Sequence, residues 1–233
     1  MKKITFALLS LLVTSSVMAQ SAFEGFYGQI GAGYENNRVG SEDFGFTTVT
    51  ANSPSVNKGT AQANIGVGYN FPLNKSYLLG VGVEYSAINS NNLTTGQVTS
   101  TDGCGGDCGG VTKYQVSNRY SIFLTPSYII EKNSLAYLKV GYSREKLQST
   151  LVETENIDAN NNASFGSSTV NGYVIGAGYK QMVSAGLYGF GEFNYYKYSS
   201  ASLNNTLPNG AAISSNNPSP SAYNFLVGVG YKF

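Results

Sequence analysis

Histidine, the residue that most often moves protons in enzymes, does not occur among the 233 residues of this chain. Its absence excludes Ser-His-Asp and Cys-His hydrolysis, histidine-based zinc sites and most general-base schemes. A carboxylate-pair enzyme stays open, because Glu84, Glu145 and Glu192 could share one enclosed space. The residue types therefore predict a protein that is not an enzyme and that holds no cofactor or metal.

The two cysteines, Cys104 and Cys108, are separated only by Gly-Gly-Asp. In an oxidising compartment two cysteines this close most simply form a disulfide, and the glycines supply the backbone freedom that such a small ring needs. The alternative is a metal or redox site. Two sulfur ligands without histidine are too few for a typical zinc site, however. The spacing between the two cysteines is one residue longer than in the Cys-x-x-Cys redox motif. The spacing therefore predicts a disulfide.

The first residues of the chain indicate the compartment. Two lysines near the start precede a mostly apolar run over 4–13, and a small-residue cleavage pattern ends at Ala19. These are the three parts of a secretory signal peptide. The apolar run is too short for a transmembrane helix, which needs about 20 apolar residues. We expect a signal peptide over 1–19 and one exported domain over 20–233.

Apolar and polar residues alternate with a period of two along most of the chain, which is the pattern of β-strands with one apolar face. The alternation is clearest over 61–71, 77–87 and 223–233. Five weaker segments lie at about 26–36, 113–130, 135–146, 169–180 and 187–198. The pattern therefore predicts eight strands.

The strand predicted over 187–198 has an ambiguous phase. Placing Glu192 on the inner face also places Tyr188 and Phe190 there. A bulge near Gly189 or Gly191 could send these rings back to the outer face, because a bulge inserts one extra residue into the alternation.

The connections between the eight segments alternate strictly in length. Three short connections lie near 71–76, 131–134 and 181–186. Four long connections, roughly twenty residues each, lie near 37–58, 89–112, 147–168 and 199–221. A membrane barrel segregates its loops in this way, whereas a soluble sandwich has no reason to. We predict an all-β fold: an eight-stranded antiparallel transmembrane β-barrel with short periplasmic turns, four long extracellular loops and both termini in the periplasm.

Charged residues fall on the polar face of the predicted strands, which is the face that points into the barrel. They are Glu84, Arg119, Lys139, Glu145, Lys180, Glu192 and Lys232. An eight-stranded barrel is narrow, so its interior is filled by side chains, and buried charges must be paired. One interpretation is a static core of ion pairs. The other is a gate, in which a switched pair opens a narrow ion path.

The last strand carries the most specific likeness to a known family. Residues 223–233 end in the aromatic-Lys-Phe pattern of Tyr231 and Phe233. Over the whole exported part, from Phe26-Tyr27 to Phe233, the chain resembles small outer-membrane barrels of the OmpA-type transmembrane domain and opacity-protein kind. The resemblance implies that Tyr231 and Phe233 form an assembly signal, which the barrel-assembly machinery reads.

These observations leave three functions open. The first is a structural or surface-display barrel in the outer membrane, whose loops contact host, phage or envelope molecules. The second is a narrow, low-conductance pore, and the third is a secreted, soluble β-sandwich acting as an adhesin or lectin. For a barrel we expect outer-membrane lipid and lipopolysaccharide as surroundings and a monomeric state. Nucleic acid is not expected as a partner, because the formal net charge is only +1.

Overall fold

The computed structural model describes residues 21–46, 49–95, 98–100, 108–153, 163–206 and 212–233. This part of the chain is built from strands, with no helix long and apolar enough to cross a membrane. The strands are β1 (Gly25–Val39), β2 (Glu42–Phe46), β3 (Val49–Ser53), β4 (Val56–Pro72), β5 (Tyr77–Ser86), β6 (Leu93–Thr94), β7 (Val98–Ser100), β8 (Cys108–Glu131), β9 (Ser134–Glu153), β10 (Ala163–Met182), β11 (Leu187–Tyr198), β12 (Ser202–Thr206), β13 (Ala212–Asn216) and β14 (Pro220–Lys232). The expected signal peptide over 1–19 lies outside the described residues.

Eight of these strands close into a ring. The order around it is β1, β4, β5, β8, β9, β10, β11 and β14, and β14 pairs with β1 to complete the circle. All eight pairings are antiparallel. The predicted eight-stranded antiparallel barrel is therefore confirmed. Closure leaves none of these strands as an unpaired edge along its barrel section.

The two ends of the ring differ, as the loop lengths predicted. Short turns join β4 to β5, β8 to β9 and β10 to β11, and we call this the turn end. In the first turn, the Asn74 side-chain oxygen accepts hydrogen bonds from the backbone N–H groups of Ser76 and Tyr77, at 2.9 and 3.0 Å. The four long connections all lie at the opposite end, which we call the loop end.

The outward face of the ring is apolar on every strand. One representative from each strand is between 47% and 58% exposed: Ile30, Ile65, Val83, Ile122, Val140, Ile175, Phe193 and Val227. Water would disfavour so large an apolar surface, whereas lipid chains match it. A soluble sandwich is not favoured, because it would bury this face between two sheets.

Tyrosines border this apolar band at the loop end. We call them the loop-end tyrosine belt, which consists of Tyr34, Tyr85, Tyr120, Tyr142, Tyr173, Tyr195 and Tyr223. Aromatic rings with one polar atom settle at the level of lipid headgroups. The belt therefore marks the boundary of the membrane on this side.

We expect Val81→Arg to destabilise the barrel much more than Ala87→Arg. Val81 faces outward midway between Tyr77 and Tyr85, whereas Ala87 is exposed beyond the belt. An arginine at the bilayer midplane costs about 2–4 kcal/mol, against about 0–1 kcal/mol near the interface. Urea unfolding in lipid vesicles measures both values, and equal losses would show that the membrane boundary is misplaced.

The long connections contain more strand than the sequence predicted. β1 continues to Val39, β4 already starts at Val56, and β8 and β9 pair as far as Gly110 and Glu153. The barrel wall therefore continues past the tyrosine belt. The alternation there was hard to recognise because the outward residues are polar instead of apolar, while the inward residues still pack together.

A second, smaller sheet lies at the loop end. Its order is β12, β13, β2 and β3, all antiparallel, and it joins the first long connection to the last. The short strands β6 and β7 pair with the outer part of β8. The loop end is thus built largely of paired strands.

The bulge suggested in β11 is not present. Its register against β10 and β14 is continuous, and Tyr188 and Phe190 both point inward. Glycines on neighbouring strands make the room that these rings need. A Cβ at Gly228 would lie 2.6 Å from the Phe190 ring, and one at Gly31 would lie 3.0 Å from it.

A bulge occurs in β8 instead. The register against β9 shifts between Ser117 and Tyr120, and Asn118 adopts a positive φ of 51°. On the loop-end side of the bulge, Tyr114 and Val116 point inward. On the turn-end side, Arg119 points inward. Bulges re-aim side chains in this way, and asparagine tolerates the left-handed conformation.

Candidate functional site in the barrel interior

Two apolar clusters close the interior at its ends. The turn-end cluster consists of Phe23, Tyr27, Leu78, Leu135, Tyr137, Tyr188 and Phe190. The loop-end cluster consists of Val39, Leu93, Tyr114, Val116, Leu147, Val170, Val174, Tyr196, Tyr198, Ala201 and Ala222. Charged side chains lie between them, shielded from water at both ends. Any chemistry of the interior must therefore come from this middle layer.

Lys139 holds the first group of charges, which we call the lysine centre. Its Nζ lies 3.1 Å from both carboxylate oxygens of Glu84 and 2.9 Å from Oε1 of Glu192. The Lys139 side chain has no exposed surface. Tyr137 and Asn194 donate further hydrogen bonds to the Glu192 carboxylate, at 2.7 and 2.8 Å. One cation thus compensates two buried carboxylates, and neutral donors share the remaining charge.

Arg119 holds the second group, which we call the arginine centre. Its Nε donates to Glu145 at 2.9 Å, its Nη2 donates to Asn37 at 3.2 Å, and its Nη1 pairs with Glu35. The guanidinium group also lies 4.6 Å from the ring centroid of Tyr196. A planar group with several fixed donors suits this arrangement, which lysine could not reproduce.

The sequence interpretation missed Glu35. It accepts hydrogen bonds from Gln62 and Asn224, each at 3.1 Å, in addition to its pair with Arg119. Its position next to the outward-facing Tyr34 was the available signal, because neighbouring residues of a strand point to opposite faces.

A chain of side chains joins the two centres. Asn194 binds Glu192 of the lysine centre and also donates to Asn224, at 3.0 Å. Asn224 in turn donates to Glu35 of the arginine centre. The middle layer is therefore one connected polar network, in which the loss of one member leaves others unpaired.

The two remaining predicted charges lie outside both centres. Lys180 is buried among aromatic rings, with its Nζ 4.2 Å from the ring centroid of Tyr27 and 4.9 Å from that of Tyr188. None of the ion pairs within the described part of the chain includes it. Lys232 is half-buried at the end of β14. The structure thus brings together Glu84, Arg119, Lys139, Glu145 and Glu192, and leaves Lys180 and Lys232 apart.

The carboxylates of the two centres are committed to cations. Glu84 and Glu192 bind Lys139, while Glu35 and Glu145 bind Arg119. A general acid or base must reach a substrate, and a metal ligand must have a lone pair to offer. Among the described residues there is also no cluster of acidic or sulfur side chains suited to a metal ion. The arrangement is suited to holding the strands together.

The remaining predicted sites lie at the edges of the described structure. Cys104 is outside the described residues, and for Cys108 only the backbone at the start of β8 is described. Tyr231 faces outward, and its ring contacts that of Phe233, with centroids 5.3 Å apart. The assembly role of these two aromatic residues stays a prediction.

Closed strand pairing, an apolar outer band and a filled polar interior together define an outer-membrane β-barrel. Residues 5–233 match the family model described as "Outer membrane protein beta-barrel domain", and the chain belongs to this family. The resemblance to small outer-membrane barrels is confirmed, and the protein is located in the outer membrane. A search of curated proteins gave no match.

Solved structures of outer-membrane proteins have a similar fold at low sequence identity. The protease OmpT of Escherichia coli is 12% identical with a TM-score of 0.53, and the match covers 94% of this chain and all of that one. OprG of Pseudomonas aeruginosa is 17% identical with a TM-score of 0.49, covering 90% and 96%. Ail of Yersinia pestis, solved with sucrose octasulfate, is 15% identical with a TM-score of 0.43, covering 90% and 99%.

Proposed function

We propose that this protein acts at the cell surface through its loop end, as a binding or structural barrel. The observation that carries the proposal is the continuation of the wall past the tyrosine belt. From Tyr120 to Gly110, β8 remains paired with β9. Ten residues of tilted strand extend about 25 Å along the barrel axis. This height lifts the loop end clear of the lipid headgroups.

Side-chain packing makes this raised structure a fixed surface. Leu93, Leu147 and Val174 of the loop-end cluster have no exposed surface. The small sheet ties the first and last long connections together. Preformed surfaces bind with a smaller loss of conformational entropy than flexible loops do. Surface molecules of a host, a phage or the envelope are the partners that this position favours.

Loop replacement in living cells tests the proposal. Residues 41–54, which contain β2 and β3, are replaced by a short Gly-Ser turn, and the control replaces turn residues 73–76 in the same way. Adhesion to host cell layers and phage adsorption are measured against cells without the protein. We expect only the first replacement to reduce binding, while both variants migrate faster on gels unheated than boiled. Unchanged binding throughout would contradict a role for the small sheet.

A pore is less well supported, because both ends of the interior are closed by apolar side chains. Planar-bilayer recording should therefore show no sustained conductance steps for the wild-type protein. Arg119→Ala and Glu84→Ala should also remain closed, since neither variant removes either apolar cluster. Higher conductance in both variants than in the wild type would instead support the gate interpretation.

An enzymatic role is also not part of the proposal. The sequence lacks histidine. The open alternative, a carboxylate pair among Glu84, Glu145 and Glu192, would need at least one free carboxylate. All three are paired with cations and are at least 94% buried. Hydrolysis of peptide, lipid or glycan substrates by the purified barrel would overturn this part of the proposal.

The chain is proposed to mature by cleavage after Ala19 and to form the Cys104–Cys108 disulfide. The disulfide should be dispensable for assembly, because it closes a ring of only five residues and small rings restrict the unfolded chain least. We expect the double variant Cys104→Ser, Cys108→Ser to keep its heat-modifiable gel mobility. Failure of the double variant to reach the outer membrane would show that the cysteines do more than close a loop.

A further inference from the structure

The residues just before β1 fold back into the turn end of the barrel. Phe23 is 1% exposed and belongs to the turn-end cluster, and its ring centroid lies 6.2 Å from that of Tyr188. Gly25 adopts a positive φ of 106°, which turns the chain sharply at the start of β1 and which glycine adopts without strain. Phe23 therefore fills the mouth of the barrel at this end.

Few bonds hold Phe23 in the mouth. The Asn70 side-chain amide donates a hydrogen bond to the Phe23 carbonyl oxygen, at 2.7 Å. The other hydrogen bonds of residues 21–24 are internal, because Ser21 accepts from the backbone N–H groups of Phe23 and Glu24, at 3.3 and 3.1 Å. Among the described residues, one hydrogen bond and one buried ring attach this segment to the wall. It can leave the mouth without breaking the pairing of any strand.

A buried cation without an acidic partner lies at the same end. Lys180 is two residues before the end of β10 and is 6% exposed. Its Nζ lies 4.2, 4.9 and 5.2 Å from the ring centroids of Tyr27, Tyr188 and Tyr137, all members of the turn-end cluster. Ring faces attract an ammonium group but supply no counter-charge. The aromatic walls around Lys180 therefore leave its positive charge without an anion.

The nearby carboxylate of Glu192 is already bound to other groups. Glu192 is in register with Gly178, two residues from Lys180 on the neighbouring strand. Its oxygens bind the Lys139 ammonium group at 2.9 Å and the Tyr137 hydroxyl group at 2.7 Å. Lys139 thus has two carboxylate partners, whereas none of the ion pairs among the described side chains includes Lys180. An anion from outside the chain would complete the turn-end interior.

A second cation borders the mouth. Lys232 is in register with the inward-facing Tyr27 and is half-buried. It lies beside the turn that carries Phe23, since a Cβ at Gly25 would be 3.5 Å from the Lys232 Cε atom. The two inner-face cations that the charge centres leave out, Lys180 and Lys232, therefore lie together at the turn end.

We propose that the turn end of the barrel is a binding site for an aromatic carboxylate, which Phe23 occupies when no ligand is bound. The ring of the ligand takes the place of the Phe23 ring against Tyr188, because aromatic walls favour edge-to-face and offset contacts with another ring. Its carboxylate pairs with Lys180 in a charge-assisted hydrogen bond. The ligand enters from the side of the short turns, so this inference is independent of the proposed role of the loop end.

Binding of 3-phenylpropanoate to the full-length mature barrel in neutral detergent, measured by isothermal titration calorimetry, tests the proposal. Phe23→Ala should bind this probe about 10- to 100-fold more tightly than the wild type, because the burial of a phenylalanine ring no longer opposes entry. Adding Lys180→Met to Phe23→Ala should weaken binding about 10- to 100-fold, as expected for a lost hydrogen bond to a charged group. The neutral probe 3-phenylpropanamide should bind equally to both variants.

The matched control is Phe165→Ala, which removes an equally buried ring, 1% exposed, from the loop end. It should bind 3-phenylpropanoate like the wild type, and heat-modifiable mobility confirms that each variant is folded. Asn70→Ala removes only the hydrogen bond to the Phe23 carbonyl, so its gain in affinity should be smaller than that of Phe23→Ala.

Two results would overturn the proposal. In the first, neither Phe23→Ala nor Asn70→Ala binds 3-phenylpropanoate more tightly than Phe165→Ala, and Phe23 then does not occupy a ligand site. In the second, Lys180→Met leaves the affinity of Phe23→Ala for the carboxylate unchanged, and the site then does not recognise an anion.

Discussion

Replacing Lys139 by methionine should lower the free energy of unfolding by about 3–5 kcal/mol, because it leaves two buried carboxylates without their cation. Glu84 and Glu192 both bind the Lys139 ammonium group, and the side chain of each is at most 4% exposed. Methionine has a similar length, so the loss comes from charge and not from a cavity. Urea unfolding in lipid vesicles, followed by the heat-modifiable gel band, measures the change.

Two further variants separate the buried charge from other effects. Lys180→Met removes a cation from the same interior that lies over aromatic rings and takes part in none of the ion pairs among the described residues, so the expected loss is about 0.5–2 kcal/mol. The triple variant Lys139→Met, Glu84→Gln, Glu192→Gln also removes the two carboxylate charges that Lys139→Met leaves without a cation, and it should recover most of the stability. Equal losses for Lys139→Met and Lys180→Met would show that the lysine centre is not a stabilising ion-pair group.

Deletion of Ser117 together with Asn118 should disrupt the loop end while leaving the membrane-spanning part closed. The bulge at this residue lets Val116 and Arg119 both point inward although they are three residues apart. Without Ser117 and Asn118, Val116 directly precedes Arg119, so Tyr114 and Val116 turn outward and Lys113 turns into the loop-end cluster. Exposing two large apolar side chains costs about 3–6 kcal/mol. Trypsin should then cleave the outer part of β8 in intact cells.

Substitutions at the same position provide the controls. Asn118→Gly should behave like the wild type, because glycine adopts the positive φ of 51° found here without strain. Asn118→Val should be intermediate, since a β-branched residue is unfavourable in the left-handed region. If the double-deletion variant resists trypsin as well as the wild type does, the inward phase of Tyr114 and Val116 is not what stabilises the loop end.

The sequence predicted the strands best where one face meets lipid. In β4, β5 and β14 the contrast between apolar and polar faces is strongest, and the predicted faces agree with the structure. Six of the seven charges that the alternation predicted on the inner face are buried inside the barrel, and Lys232 is half-buried. The alternation did not reveal which charges meet, because partners such as Lys139 and Glu84 are 55 residues apart in sequence.

The inward rings of β11 and the bulge of β8 could not be predicted from the sequence of a single strand. The inward rings of β11 are accommodated by Gly31 and Gly228, which belong to strands that become neighbours only when the ring closes. The bulge of β8 lies inside a segment that was predicted as one uninterrupted strand. The inner face of β8 is apolar on the loop-end side of the bulge and polar on the other side, so the alternation pattern did not reveal the change of phase. Tertiary packing decides both features, and local propensity does not.

The pairing of β1 with β14 also constrains the order of events during folding. Tyr27 pairs with Lys232, so roughly 200 residues must be delivered before the seam can form. Loop closure becomes only about 0.6 kcal/mol less favourable with each doubling of length, so the difficulty is one of search time and not of equilibrium. Until then both seam strands are open edges that other chains can join. A newly exported chain is therefore most prone to aggregate just before closure, which is when a helper that holds the last strand would be most effective.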